Sequence, residues 1–442
     1  MNFLEKNLAK ALDLMERADS STAHCIYPPI AAWAPLKSAN AIKSWRETLK
    51  SGNQTGIYVH VPFCNFICRF CKAAPKYMPG ENDIEEFLVA LAAEAKILSP
   101  VFRGTKLVSL FFGGGTPNLL NPDQIKKLFS IIYSNFSFTK NAQIIVEVSS
   151  EYLDDERLKE MVKNKVTGLS LGVQSLDVNM SKWAGYNRDS IGIRDSFFRA
   201  RAAGIKYILV DLLCGLPGQT EKSFLKDVKT VASWKPDDIV LGEFSFVNTA
   251  FESLSGGKQP ALREHYQKMI KKGFEILGSK GYKSFGNNPN ASLRPYSSRS
   301  KHNYLFYGRV SMLGMGPGAI SYTRNRLWYA NVSGFQNYKN RIKSGILPVE
   351  NGCAMTRRRE MVNFIFEGID RGKISASAFK EEFGETIEKK INANLVRLTS
   401  KGILERRGSA YYLLDQKKAY YDSALEFFEP EIIKNILKRT KK

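Results

Sequence analysis

Six short apolar runs, separated by segments of helical periodicity, constrain this chain more than any other feature of its sequence. They are IYVHV (Ile57–Val61), KLVSLFF (Lys106–Phe112), AQIIVEV (Ala142–Val148), GLSLGVQ (Gly168–Gln174), KYILVDLLCG (Lys206–Gly215) and DDIVLGEFSF (Asp237–Phe246). Intervening stretches such as ENDIEEFLVALAAEAKIL and NPDQIKKLFSIIYSNF space their apolar residues as one face of a helix requires. Strand, helix, strand repetition implies parallel pairing, since a crossover helix brings the chain back to start the next strand in the same direction. The expected fold class is therefore α/β, an incomplete (β/α)6 TIM-like barrel with its ligand site at the carboxyl ends of the strands.

At 442 residues the chain has room for an appendage to such a core. Residues 1–55 read as an N-terminal helical arm, 56–345 as the core, and 346–442 as a C-terminal helical, winged-helix-like lid domain. In the last segment the helices RREMVNFIFEGI and SASAFKEEFG lead to a hairpin around RRGSAYY. Such a unit reads nucleic acid in some proteins; here a lid that shields the barrel opening from water is the preferred reading.

Polar residues fall where the strands end. FFGGGTP places Gly113, Gly114, Gly115 and Thr116 after the second run, where missing side chains let backbone approach a ligand closely. Glu147 closes the third run, Gln174 the fourth, and Asp211 interrupts the fifth. Each alone could be a satisfied buried polar group, but a shared position points to a common ligand.

Half of the six cysteines lie within eight residues, as Cys64, Cys68 and Cys71 in CNFICRFC. Three thiolates on one loop can hold three irons of a [4Fe-4S] cluster and leave the fourth open for another ligand. Tetrahedral zinc is the competing reading, though no nearby residue completes its usual spacing. Cys25, Cys214 and Cys353 are isolated and read as packed small hydrophobes.

A hydrophobic share of 43% without an apolar run long enough to span a membrane suits a cytoplasmic protein, expected as a monomer. The formal net charge of +22 favours anionic partners. Its dispersal along the chain, with no nucleic-acid module beside it, reads as a solvated basic surface rather than a nucleic-acid interface, and the expected partner is a small-molecule substrate.

The loop after YVHVPF, with FFGGGTPN, VEVSSE, LSLGVQSLD and DLLCGLPGQT, resembles the radical S-adenosylmethionine (SAM) superfamily. Within it the chain is similar to the oxygen-independent coproporphyrinogen III dehydrogenase family and its class C methyltransferase relatives. The resemblance implies that SAM chelates the open iron and that an electron donor such as flavodoxin or ferredoxin drives its cleavage to a 5'-deoxyadenosyl radical. It implies that Gly114, Gly115 and Thr116 meet the methionine end of SAM, Glu147 its amino or ribose portion, Gln174 and Asp211 its ribose, and the Tyr58 main chain its adenine. Arg188 stands two positions late for the family's arginine, whose aligned place Tyr186 takes. A second SAM, held near Phe70, Leu213 and Ser245, is also implied.

Three departures bear on the substrate: Tyr304 and Leu305 replace a phenylalanine-glutamine pair, the amino-terminal motif is reduced to CIYPPIAAW, and no fourth cysteine follows the cluster loop. They lead to the expectation of a methyl or one-carbon transfer to a tetrapyrrole or flat aromatic substrate. Oxidative decarboxylation of coproporphyrinogen III in haem biosynthesis and haem carriage are the alternatives.

Overall fold

A computed structural model describes residues 7–8, 10–11, 26–71, 78–186, 188–244, 263–282, 310–370, 372–414 and 416–439. The described residues form two compact units, one drawn from within 35–352 and the other from within 1–34 and 353–442.

The strands of the first unit's sheet are β1 (Ala34–Pro35), β2 (Thr55–Val61), β3 (Lys106–Gly114), β4 (Ser137–Val148), β5 (Gly168–Gln174), β6 (Tyr207–Cys214), β7 (Asp238–Glu243), β8 (Ser311–Met315), β9 (Ile320–Thr323), β10 (Leu327–Asn331) and β11 (Val349–Ala354). They pair in the order β1-β11-β10-β9-β8-β2-β3-β4-β5-β6-β7. Strands β2 to β7 are the six runs read from the sequence, all parallel to their neighbours. The order starts at β1 and stops at β7, so among the described residues the sheet stays open, as an incomplete barrel requires.

Two features went beyond the apolar pattern. β4 begins at Ser137, five residues before its apolar run, because Ser137 and Phe138 pair with Lys106 and Leu107 across a register shift. Backbone pairing, not side-chain burial, extends it. β8 adds a seventh parallel strand beside β2, with Thr55 opposite Ser311 and Tyr58 opposite Gly314, and β9 and β10 continue the sheet antiparallel.

Burial on both faces explains the apolar runs. Ile57, Val59 and Val61 of β2 are fully buried, and the helix Asp83–Leu98 covers the sheet with Phe87, Leu88, Leu91 and Leu98. The helix Pro122–Asn135 starts where Asn121 and Gln124 cap each other reciprocally, which is what NPDQ encodes. Trp45, on the helix Ser38–Lys50, packs on Phe102 and donates to the Tyr329 hydroxyl at 2.8 Å.

The second unit holds the helices Arg357–Asp370, Ala376–Phe383 and Ile387–Ser400 and a sheet of β12 (Lys373–Ser375), β13 (Leu404–Arg407) and β14 (Ala410–Leu413), ordered β12-β14-β13. The helices and the hairpin read from the sequence are present, and β12 is the added strand. Tyr27 belongs to this core: its ring stacks on Phe366 at 5.5 Å and its N–H donates to Asn363 Oδ1 at 2.9 Å. No helix among the described residues is long and apolar enough to cross a membrane.

Candidate active site

The cysteine loop leaves the carboxyl end of β2. Cys64 and Cys68 are buried and Cys71 half-buried, all as thiols. The Cys71 N–H bonds the Cys68 carbonyl at 2.9 Å, and the Arg69 N–H bonds the Ala184 carbonyl at 3.2 Å. Polar side chains reach two of the sulfurs: the Thr116 hydroxyl donates to Cys64 Sγ at 3.5 Å, and the Cys68 thiol donates to the Tyr186 hydroxyl at 3.2 Å. A set of three thiols, hydrogen-bonded through sulfur, fits the donor chemistry of an iron-sulfur cluster. Among the described residues no three His, Cys, Asp or Glu side chains converge as one metal ion would require.

The glycine run ties that loop to the strand ends. Gly115 N–H bonds the Val61 carbonyl and Thr116 N–H the Phe63 carbonyl, each at 2.7 Å, and Gly114 N–H donates to Glu147 Oε2 at 2.8 Å. Gly114 has a φ of +103°, and a Cβ there would collide with the His60 ring. Its lack of a side chain is thus required by close approach to β2 as well as by its backbone conformation. These three N–H groups are bonded within the protein, and the Thr116 hydroxyl is engaged by Cys64.

Glu147 and Asp211 reach the same region from β4 and β6. In register, Glu147 is opposite Ser170 of β5, while Asp211 is opposite Gly172. Asp211 accepts from the Ser170 hydroxyl at 3.1 Å. Burial and the Glu147 charge push its carboxyl up to about 7, against the smaller opposing effect of that hydrogen bond. Tyr58 lies on the same face: its ring stacks on Phe111 at 6.0 Å and its hydroxyl shares a hydrogen bond with His60 Nδ1 at 3.1 Å. Burial, then Glu147, raises that phenol well above its ordinary value.

At the end of β5, Gln174 has a φ of +65°, a left-handed conformation uncommon for its residue type. The following residues hold it there. The Ser175 hydroxyl donates to Asp227 Oδ2 at 2.6 Å, the Leu176 N–H donates to the same oxygen at 3.2 Å, and Asp177 caps the helix Val178–Ala184. Arg188 caps the strand: its two terminal nitrogens donate to the Gly172 and Val173 carbonyls at 2.8 and 2.9 Å, and its guanidinium lies 3.6 Å from the Tyr186 ring centre.

The residues implied for a second SAM are partly gathered. Phe70 and Leu213 pack against an apolar cluster of Met180, Leu216 and Phe244. Ser245 lies outside the described residues, as do Cys25 and the Tyr304-Leu305 pair. Gln219 fixes the Leu213 end of β6, accepting from Gly215 N–H at 2.7 Å and donating to the Leu213 carbonyl at 3.0 Å.

Glu94, which the sequence reading passed over, is fully buried on the helix Asp83–Leu98. It accepts from Gly316 N–H at 2.8 Å, Asn331 Nδ2 at 2.9 Å and the Tyr338 hydroxyl at 2.7 Å. Burial raises its carboxyl to about 7 against those hydrogen bonds. A lone acid inside LVALAAEAKIL was the available signal.

With the geometry in place, comparison with known proteins gives a consistent result. Residues 58–231 match the family described as the Radical SAM superfamily. The chain is 28% identical over 321 residues to the oxygen-independent coproporphyrinogen III oxidase of Escherichia coli strain K12, covering 69% of this chain and 70% of that relative. It is 28% identical over 375 residues to the heme chaperone HemW of Bacillus subtilis strain 168, covering 82% and 95%. The solved structure of the E. coli oxidase, HemN, superposes with a TM-score of 0.79 over 91% of this chain and 96% of that one, at 21% identity, which bears on the fold alone. The chain is thus similar to the radical SAM superfamily over residues 58–231, and to an oxygen-independent coproporphyrinogen III oxidase and the heme chaperone HemW over most of its length.

Proposed function

We propose that this radical SAM enzyme oxidises the propionate side chains of a coproporphyrinogen-type tetrapyrrole. The observation that carries the reading is the approach of two carboxyl groups, Glu147 and Asp211, in the carboxyl-terminal halves of β4 and β6, with Glu147 joined through Gly114 to a three-thiol loop. When bound, the [4Fe-4S] cluster and SAM supply a 5'-deoxyadenosyl radical, which takes a hydrogen atom from an unactivated carbon. Every other task falls to the chain. Cys64, Cys68 and Cys71 would hold three irons of the cluster. Glu147 and Asp211 would accept from the amino and ribose hydroxyl groups of SAM, with Gln174, left-handed at the end of β5, offering its amide to the same ligand. The Tyr58 main chain borders the adenine.

The substrate assignment draws on the similarity to coproporphyrinogen III oxidases. Converting a propionate to a vinyl group releases carbon dioxide, a proton and two electrons. One electron leaves with the abstracted hydrogen and the other passes to a one-electron acceptor. A reduced flavodoxin- or ferredoxin-like donor supplies the electron that SAM cleavage consumes.

The methyl transfer expected from the sequence departures yields to this reading, since the compared relatives are oxidases and haem chaperones. Haem carriage is the second reading, favoured by the match to 95% of the HemW relative's length. One anaerobic experiment separates the three: reduced, cluster-loaded protein is given methyl-labelled SAM with coproporphyrinogen III or haem. Carbon dioxide and 5'-deoxyadenosine formed together support oxidation. Label in a tetrapyrrole product restores methyl transfer, and stoichiometric haem binding without 5'-deoxyadenosine replaces the enzyme with a carrier.

A further inference from the structure

We infer that Tyr186 and Arg188 form a positioning pair that sets the reduction potential of the cluster through Cys68; the inference rests on the cluster reading above. Tyr186 stands where the family resemblance leads one to expect an arginine. Its ring meets Phe66 edge-on at 5.1 Å and lies 6.1 Å from Phe70, so two residues of the cysteine loop border it. Its hydroxyl is within hydrogen-bond distance of the Cys68 sulfur, at 3.2 Å. The Arg188 guanidinium lies over the ring, 3.6 Å from its centre.

The direction of the hydrogen bond follows from the state of the sulfur. With Cys68 a thiol, the sulfur donates to the phenol oxygen. Once Cys68 is a thiolate bound to iron, it has no proton to give and can only accept, so the phenol turns and donates to it. Hydrogen bonds to cluster sulfurs stabilise the more negative, reduced state more than the oxidised one and raise the potential. A radical SAM enzyme must accept an electron at this cluster before SAM is cleaved, so such a donor makes loading that electron easier.

Arg188 is committed to holding this arrangement. Its terminal nitrogens are engaged by the Gly172 and Val173 carbonyls, and its Nε is buried without a hydrogen-bond partner. The residue is therefore clamped to the end of β5, two positions before Gln174, with its charge over the phenol ring. A cation over the ring face fixes the ring plane and makes the hydroxyl a better donor. The pair thus connects the cluster loop to the strand end that carries Gln174.

The test is redox titration of the reconstituted cluster without substrate, followed by electron paramagnetic resonance, in the wild type, Tyr186→Phe and Arg188→Met. At a fixed solution potential, the ratio of reduced to oxidised cluster is expected to fall about threefold to tenfold in Tyr186→Phe, the scale of one lost hydrogen bond. A smaller fall in the same direction is expected in Arg188→Met, with iron content unchanged in both. Equal potentials in Tyr186→Phe and the wild type overturn the inference while leaving the enzyme reading intact. If Tyr186→Phe does not hold a cluster, an unchanged potential in Arg188→Met overturns it. A wild type that binds no cluster fails the enzyme reading itself.

Discussion

Asp211 and Glu94 are two buried carboxyl groups in the same unit, both pushed up to about 7, and they occupy opposite kinds of surroundings. Glu94 meets three donors, from Gly316, Asn331 and Tyr338. Asp211 accepts one hydrogen bond from Ser170 and faces the like charge of Glu147. Shared acidity therefore conceals a difference in satisfaction. Glu94 is a finished junction that joins a helix, the turn after β8 and the end of β10. Asp211 has acceptor capacity left over within β6, which is what a ligand's hydroxyl or ammonium group can use.

The strongest way to sharpen that contrast is at the cysteines, which divide in the same manner. Cys64→Ala, Cys68→Ala or Cys71→Ala should abolish bound iron and the cluster's visible absorbance. Cys214→Ala should retain both, because Cys214 is buried in the core and burial drives its thiol well up, away from ligation. Iron lost equally from Cys214→Ala would erase the distinction.

Removing Glu94 should act on the fold. Glu94→Ala leaves three buried donors without an acceptor and is expected to cost about 3–5 kcal/mol in urea unfolding, with Glu94→Gln costing about 1–2 kcal/mol. Asp211→Asn should do the reverse, weakening SAM binding about tenfold to a hundredfold by isothermal titration while changing stability by less than about 1 kcal/mol. A SAM affinity that follows Glu94 rather than Asp211 would break the comparison.

Smallest is the effect of pH. Both carboxyls ionise at higher pH in the folded chain than in the unfolded one, where such groups titrate near about 4. Between roughly pH 4 and 7 the folded state therefore binds more protons, so these groups make stability fall as pH rises, and their effect levels off above about 7. Asp211→Asn and Glu94→Gln should each flatten part of that fall in unfolding curves collected across the range. A slope unchanged in both variants would show that neither group holds its proton in the native state.

How far the sequence was legible follows from the distance over which each interaction acts. The runs that became β2 to β7 announce themselves by local periodicity, and the cysteine spacing lies within one loop. Glu147 and Gln174 near the ends of their runs, and Asp211 within its run, stand out in one dimension because each is a polar residue in an apolar strand. β9 and β10 were not, since they are short and complete the sheet only by pairing with β8 and each other. The role of the glycine run was legible only in part: the missing side chains are plain in the sequence, but the N–H groups expected to face a ligand are taken by Val61, Phe63 and Glu147, and the contact with His60 requires the β2–β3 register. Tyr186 was noticed only as an arginine out of place, because its approach to Cys68 spans 118 residues of sequence.

The Glu94 junction has a further consequence, for the order in which the chain can be completed. Its partners lie 222, 237 and 244 residues downstream, and β8, the second neighbour of β2, is farther still in sequence. During synthesis the helix bearing Glu94 emerges with its carboxylate in water and β2 with one edge unpaired. Neither can be closed until the ribosome has delivered more than half of the protein. Closing the edge of the strand that leads into the cysteine loop is thus a late step of biogenesis. A truncated chain ending before Ser311 should expose that edge and aggregate, however well β2 to β7 pair.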